Sequence, residues 1–432
     1  MKILAIDNGG NSLDWVLRCM AEGHTVKVFM SPDKDGNRNK IGDGLIEKVN
    51  DWQPHMKSAD LIWMGDNAKY TTQLESWRNR GFPIFGPNIA VTKWELERAT
   101  GQKVFSDNGI DVIPSTQFTD YNKAIEFVKK TKLRYVSKPS GDADKALTYC
   151  SKNADDMVFM LEFWKKRGKN KAPFILQEFR AGIEFAVSGW FGKNGFSKYW
   201  LENFEHKKLM NDDKGPNTGE AGSCYRYVEE SKLADMVLKP LEGELFRQGY
   251  TGYIDVAVMI DKKGNINPLE FTPRPPWPGF QIIQVLHNEP CEWMLDMING
   301  KDTFEPDMRT ATGVVIAMPP FPSQTFKLDD LTGFPVWGIT EKNRYNIHPC
   351  EMMAGEGPVN GKNEPMMVSR GTYTMVVSGV DESVEKSAAK AYKTIDQLIF
   401  PNSPMYRTDI GNRVIKQLPE LQAMGYASEW SA

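Results

Sequence analysis

Residues 252–274 read GYIDVAVMIDKKGNINPLEFTPR, and this stretch sets the architecture. Tyr253 to Ile260 is rich in β-formers, Asp261 to Asn265 is a polar turn with a glycine, and Ile266 to Phe271 returns. That pattern predicts a β-hairpin. Asp255 lies inside the first strand and Glu270 near the end of the second. A carboxylate in a half-apolar strand is costly unless a partner offsets its desolvation. Two carboxylates on paired strands can face each other and share a hard divalent cation with oxygen ligands, such as magnesium. Two exposed acids on an ordinary hairpin would read the same way.

Composition narrows the class. The chain has 432 residues, enough for two to four structural units. A 41% hydrophobic and 25% charged content is that of a water-soluble globular protein. The net charge of −3 gives neither a basic field for nucleic acid nor a polybasic membrane patch. The five cysteines, at 19, 150, 224, 291 and 350, are widely scattered, which fits a reducing compartment. The start, MKILAIDNGG, carries Asp7 and predicts no signal peptide, and no apolar run is long enough to span a membrane. A cytoplasmic protein is expected, as a monomer or homodimer.

Outward from the hairpin, strands at Lys2–Ile6, His24–Met30, Leu61–Met64 and Pro83–Phe85 alternate with helices and predict a parallel sheet. The Asn8–Ser12 turn, with Gly9 and Gly10, precedes a helical stretch and could hold an anion at the helix start. It could equally be a plain turn. Thr92–Asp107 reads as one charged helix, Glu229–Gly249 as an amphipathic helix, and Phe280–Ile298 as another. Lys138 ends a strand, and Lys145 follows a glycine-containing turn; both could reach a phosphate, or be solvated edge charges. Glu184 sits among apolar residues and is a candidate for a sugar hydroxyl. The loop 205–222 has fixed-turn chemistry, and His206, Lys207 and Lys208 make an anion site plausible there.

Several stretches then converge. HKKLMNDDKGPNTGEAG, GYIDVAVMI with PLEFTPR, and YRTDIGNR at 406–413 occur in this order, as do the Gly-Gly turn, Phe85-Gly86-Pro87 and QEFRAGIE at 177–184. Together they resemble the phosphoribosylamine–glycine ligase family of the ATP-grasp superfamily, over nearly the whole chain. The resemblance implies a multidomain α/β and α+β protein with an ATP-grasp fold. It predicts an N-terminal parallel-sheet, Rossmann-like domain (1–90), a linker helix of the core (91–116), a lid (117–182), a central domain (183–308) and a C-terminal α+β domain (309–432).

It also implies an ADP-forming ligase using ATP and Mg2+ or Mn2+, with glycine and phosphoribosylamine as substrates. Carried over by position, Lys138 and Lys145 look like phosphate lysines, with Arg98 or Lys103 adding a contact. Gln177, Glu178 and Phe179 would line adenine, Glu184 would take the ribose, and Lys207 would join the nucleotide site. Asp255, Glu270 and Thr272 would hold the metal. Gly9, Gly10, Asn11, Gly215, Pro216, Asn217, Thr218 and Arg274 would meet substrate, with Arg274, Lys145 and Asn217 catalytic.

The departures cluster. The family's GGREHA reads Gly9-Gly10-Asn11-Ser12-Leu13-Asp14, so the Arg and His of a loop that faces the ribose phosphate are missing. RFGDPE reads Arg274-Pro275-Pro276-Trp277-Pro278-Gly279, LEFN reads LEFT, AAGKG reads Asp142-Ala143-Asp144-Lys145-Ala146, and Glu220 is new in GPNTGEAG. Two other readings therefore stand beside the family reaction. One is a ligase joining an amino acid to a different amine; the other is a non-catalytic nucleotide-binding protein.

Overall fold

The computed structural model describes residues 1–66, 69–140, 148–168, 173–323 and 325–432. The N-terminal part runs β1 (Lys2–Asp7), α1 (Leu13–Ala21), β2 (Thr25–Met30), β3 (Glu47–Val49), β4 (Leu61–Met64), α2 (Thr71–Arg78) and β5 (Ile84–Phe85). Its five strands form a parallel sheet in the order β3-β2-β1-β4-β5. Helices α3 (Ile89–Leu96) and α4 (Arg98–Asp107) follow where one helix was expected. The break is at Glu97, whose backbone leaves the helical region. Gly101 permits the resulting close packing, since a Cβ there would meet the Trp94 carbonyl at 2.3 Å.

Next come β6 (Ser115–Phe118), α5 (Tyr121–Thr131), β7 (Tyr135–Pro139), β8 (Tyr149–Cys150), α6 (Ala154–Lys166) and β9 (Phe174–Glu178). They make a four-stranded antiparallel sheet, β6-β9-β7-β8, with its own small core around Val128, Leu161 and Leu176.

The rest contributes β10 (Ile183–Gly192), β11 (Gly195–Glu205), β12 (Lys208–Met210), β13 (Lys214–Asn217), β14 (Gly222–Val228), α7 (Lys232–Val237), α8 (Glu242–Arg247), β15 (Gly252–Ile260), β16 (Ile266–Thr272), α9 (Gly279–Ile283) and α10 (Glu292–Ile298). After these lie β17 (Thr310–Ala317), β18 (Ile347–Pro349), β19 (Met352–Val359), β20 (Lys362–Ser369), β21 (Tyr373–Asp381), α11 (Val384–Ile395) and α12 (Asn412–Ala423). Pro240 and Pro290 fall in the interruptions of the two long helices that the sequence suggested. A proline lacks the N–H that a helix interior needs.

An eight-stranded sheet, β16-β15-β10-β11-β14-β17-β21-β18, dominates this part. It draws strands from both sides of residue 308, so the sheet is continuous across the division expected there. Alternation splits its side chains between two faces. Phe185, Val187, Phe204, Val256, Val258 and Phe271 point one way, into a core shared with Leu233, Val237, Leu241 and Leu245. Burying each such side chain contributes roughly 1.5–3 kcal/mol. The opposite face is mixed. Trp190, Leu201, Tyr225 and Tyr253 pack towards the N-terminal unit, while Glu184, Asn203, Glu205, Asp255 and Glu270 gather nearby on the same face.

A buried polar bolt joins the two ends of the chain. His348 Nδ1 lies 2.7 Å from Asp14 Oδ2 on α1, and its Nε2 lies 2.8 Å from Ser378 Oγ on β21.

Glu202 is a charged-type side chain on the apolar face. It accepts hydrogen bonds from Ser231 Oγ at 2.6 Å and Trp430 Nε1 at 2.8 Å. Burial outweighs these bonds and pushes its carboxyl from 4.5 to about 7. The folded state thus prefers the protonated form, and this stabilisation is present below pH 4.5 and lost as pH rises through 7. Glu202→Gln should remove that slope. The stability of wild type relative to the variant, measured by denaturant unfolding, should fall by on the order of 3 kcal/mol across this window. A difference that stays flat with pH would contradict the assignment.

Candidate active site

The hairpin of the opening stretch forms as expected, and its register arranges the acids. Asp255 lies opposite Thr272, and Ala257 lies opposite Glu270. Asp255, Glu270 and Thr272 therefore share one face, with Asp255 and Glu270 as diagonal neighbours. The ladder slips between Ala257 and Val258, which leaves Leu269 as an extra residue. The Leu269 carbonyl accepts a hydrogen bond from Lys138 Nζ at 3.1 Å. A bulge in the hairpin thus ties down a lysine from the four-stranded sheet.

Glu270 sits among cations from separate elements. Arg98 Nη1, at the start of α4, lies 2.5 Å from its carboxylate. Burial would raise the Glu270 carboxyl, but Arg98, Lys138 and Lys207 outweigh it and hold Glu270 well below the usual range. Burial lowers Lys138 to about 8, against the pull of Glu270. Lys207 contacts Glu184 at 2.7 Å and Glu205 at 3.2 Å. Burial opposes its charge, yet Glu184, Glu205 and Glu270 raise it well above its ordinary value.

The other acids lack such support. Burial pushes Asp255 far up, and the neighbouring Glu205 adds to it. Glu205 and Glu220 are raised by burial as well, Glu220 further by Glu205. Asp255 is 3% exposed, and its Oδ2 has no hydrogen-bond partner among the described residues. An orphaned carboxylate oxygen in a nest of strained acids, facing a threonine hydroxyl position, is a donor set that suits a hard cation. Glu205, Glu220 and Asn203 were missed by the sequence reading. For Asn203 and Glu205 the signal was the alternation of β11, which carries them to the face of Asp255; Glu220 reaches it from the turn before β14.

The remaining candidates fall in varied places. Arg274 is fixed by Glu95 at 2.8 Å, and burial fails to overcome that acid, so its charge is secure. Gln177 is buried on β9, and its Nε2 has no hydrogen-bond partner among the described residues. Glu178 pairs with Arg180 at 3.0 Å, and the Arg134 guanidinium lies 3.4 Å from the Phe179 ring centroid. Lys103 is a correction: it is exposed and bound to Asp107 one turn on, at 2.7 Å, not turned to the cluster. Of the two basic residues considered on this segment, Arg98 alone meets Glu270. Lys145 lies outside the described residues.

Gly215, Pro216 and Asn217 are exposed on β13, part of a two-stranded ribbon with β12. Thr218 ties that ribbon to the cluster, its Oγ1 donating to the Lys207 carbonyl at 3.0 Å. The YRTDIGNR stretch buttresses it. Buried Arg407 meets Asp213 at 2.8 Å and Asp409 at 2.8 Å, and Arg413 meets Asp213 at 2.7 Å. Burial beside these arginines lowers His206 to about 3, so it is neutral.

The Gly9-Gly10-Asn11 turn also differs from expectation. Asp7 Oδ1 accepts the N–H groups of Gly9, Gly10 and Asn11 at 2.9, 2.8 and 3.2 Å, and Oδ2 accepts that of Ser12 at 2.7 Å. Gly10 adopts φ +93°, and a Cβ there would meet Ile41 at 2.8 Å. The turn is an anion cradle, as its glycines suggest, but a side chain of the protein fills it.

Residues 98–278 match the family model described as the phosphoribosylglycinamide synthetase ATP-grasp (A) domain. Residues 98–278 thus match an ATP-grasp domain. Among curated relatives, the phosphoribosylamine–glycine ligase of Haemophilus influenzae is 25% identical, over 98% of this chain and 100% of its own. That of Ralstonia nicotianae is 26% identical, over 96% of this chain and 100% of its own. The solved phosphoribosylamine–glycine ligase of Thermotoga maritima superposes with a TM-score of 0.72 at 20% identity, covering 95% of this chain and 100% of that one. The biotin carboxylase–ATP analogue complex from Campylobacter jejuni gives 0.60 at 12% identity, covering 99% and 98%. The chain therefore shares its fold with these two solved proteins along nearly its full length. No helix among the described residues is long and apolar enough to cross a membrane.

The Arg98–Glu270–Lys138 arrangement makes a direct prediction. Glu270→Gln removes the anion that supports the Lys138 charge. The Lys138 pKa should then drop below its present value by roughly one unit or more, read by NMR of a 13C-labelled lysine side chain. An unchanged or raised value would show that the two groups are not coupled.

Proposed function

We propose that this chain is an ADP-forming ATP-grasp ligase that joins a carboxylate to an amine through an acyl phosphate. Its concrete form is that of the relatives: phosphoribosylamine, glycine and ATP giving glycinamide ribonucleotide, ADP and phosphate. The observation that carries this reading is the shared face of Asp255, Glu270 and Thr272, flanked by Arg98, Lys138, Lys207 and Arg274. ATP-grasp chemistry needs charge neutralisation and alignment rather than a covalent side chain.

Asp255, Glu270 and Thr272 would hold magnesium, with Glu205 and Glu220 within electrostatic reach. When bound, the ion supplies charge stabilisation on phosphoryl oxygens. In the protein itself, Arg98 and Lys138 present positive charge beside Glu270, fixed by a 2.5 Å ion pair and by the Leu269 carbonyl. Arg274, pinned by Glu95, orients a substrate carboxylate. Lys207 bridges Glu184 and Glu205, so Glu184 is positioned to accept from ribose hydroxyls. The unpaired Gln177 amide is a donor available to an adenine edge. The unit 117–182 serves as the lid over the central unit 183–308, with 1–90, the linker 91–116 and 309–432 completing the site. Five free cysteines fit a reducing, cytoplasmic setting.

A second reading concerns the amine. Because Asp7 occupies the cradle at the Gly9–Ser12 turn, an amine without a phosphate would meet less repulsion there. This favours an amino acid joined to a different amine on the same platform.

Coupled ADP release should be measured with magnesium-ATP, glycine and freshly made phosphoribosylamine, omitting each in turn. The proposal expects ADP only when nucleotide, acid and amine are all present. It also expects a loss on the order of 10²-fold or more in Glu270→Ala. Full activity of that variant, or ADP release that ignores both acid and amine, would overturn it. Turnover that requires phosphoribosylamine would eliminate the second reading; turnover with other amines only would establish it.

A further inference from the structure

Away from the ATP-grasp face, a second group of metal-ligating side chains meets where α1 and the turn after it touch the segment leading into α10. His24 Nε2, a Glu289 carboxylate oxygen and Cys291 Sγ lie within 4.8 Å of one another. The Cys19 thiol, on α1, neighbours the Cys291 thiol but stands outside this 4.8 Å group. Both cysteines are fully buried, and the His24 side chain is 6% exposed. Cys19 and His24 come from one end of the sequence, Glu289 and Cys291 from the middle, so only the fold unites them.

The surroundings already fix these groups. Trp15 Nε1 donates to the Pro290 carbonyl at 2.8 Å, which holds the 289–291 segment against α1. The Met1 amine lies 3.0 Å from His24 Nδ1, so Nε2 is the nitrogen turned to Glu289, at 3.9 Å. The Glu289 carboxylate also caps α10, accepting N–H groups of Cys291, Glu292 and Trp293 at 2.8, 2.6 and 3.3 Å. A carboxylate has about four lone-pair positions, so these bonds leave one for a cation. A cavity of about 310 Å3 opens at Glu289 and is lined by three further acids, Glu292, Asp296 and Glu305. It gives a cation a negatively charged approach.

We propose that Cys19, His24, Glu289 and Cys291 form a binding site for a borderline-soft divalent metal, zinc above all. Two thiolates, an imidazole and a carboxylate are the donor types zinc selects, and four protein ligands make a closed, structural site. Tetrahedral zinc needs ligand atoms about 3.3–3.8 Å apart; His24 Nε2 and Glu289 stand at 3.9 Å, and the ion would draw the two thiols in to complete the set. The ion would clamp the N-terminal parallel-sheet unit to the segment before α10. Binding releases the thiol protons to solvent. The site uses none of the residues of the ligase proposal and stands or falls separately.

The full-length protein, purified without chelator or added metal, should retain about one zinc ion per chain by elemental analysis. After removal of zinc, titration with cobalt(II) should give an intense thiolate-to-cobalt charge-transfer band. The oxygen-rich Asp255–Glu270 face cannot produce that band. It should vanish in Cys291→Ser and weaken in His24→Gln, while Cys150→Ser, at an exposed unrelated thiol, keeps it. If Cys291→Ser does not fold, the wild-type metal content and the His24→Gln spectrum still decide. Absence of both retained zinc and a thiolate band would overturn the proposal. So would a band that survives in folded Cys291→Ser, or isolation of Cys19 and Cys291 as a disulfide under reducing conditions.

Discussion

The ionised state of Glu270 is the constraint on which the rest of this protein depends. A carboxylate taken out of water stays charged only if cations stand around it. Arg98 arrives from α4, Lys138 from the four-stranded sheet and Lys207 from the end of β11. Three elements far apart in sequence therefore have to be placed against one hairpin. The bulge at Leu269 and the helix break at Glu97 are local departures from regular structure beside this contact. Both can be read as accommodations to it.

Around that anchor the sheet separates its tasks by alternation. One face of β10, β11, β15 and β16 is apolar and packs on helices. The other carries the acids, with aromatic residues beyond them that seat the N-terminal unit. The excess of carboxylates near Asp255, one with an unpaired oxygen, is costly in the protein alone. Such a cost is what a bound cation would relieve.

Much of this was legible in the sequence. The hairpin, the parallel sheet and the strand positions of Lys138, Glu184, Asp255 and Glu270 follow from β-patterning. What could not be read was which charged residues meet. Lys103 and Arg98 lie five positions apart on one helical segment, and only the fold shows that Arg98 meets Glu270 while Lys103 pairs locally with Asp107. Glu205 needed the strand register, and Glu220 the path of the turn before β14; both are tertiary properties. The Asn8–Ser12 turn read as either an anion site or a plain turn, and only the fold shows that Asp7 accepts four of its N–H groups. The cradle there is kept in shape and filled from within.

The central claim is that the Asp255–Glu270 face is the metal and phosphate platform. It is tested most directly by anomalous diffraction from crystals grown with manganese and a non-hydrolysable ATP analogue. The account predicts an anomalous peak on that face, between Asp255 and Glu270, with the analogue's phosphates beside Arg98 and Lys138. A nucleotide-bound manganese peak elsewhere, with Glu270 still paired only to Arg98, would contradict it.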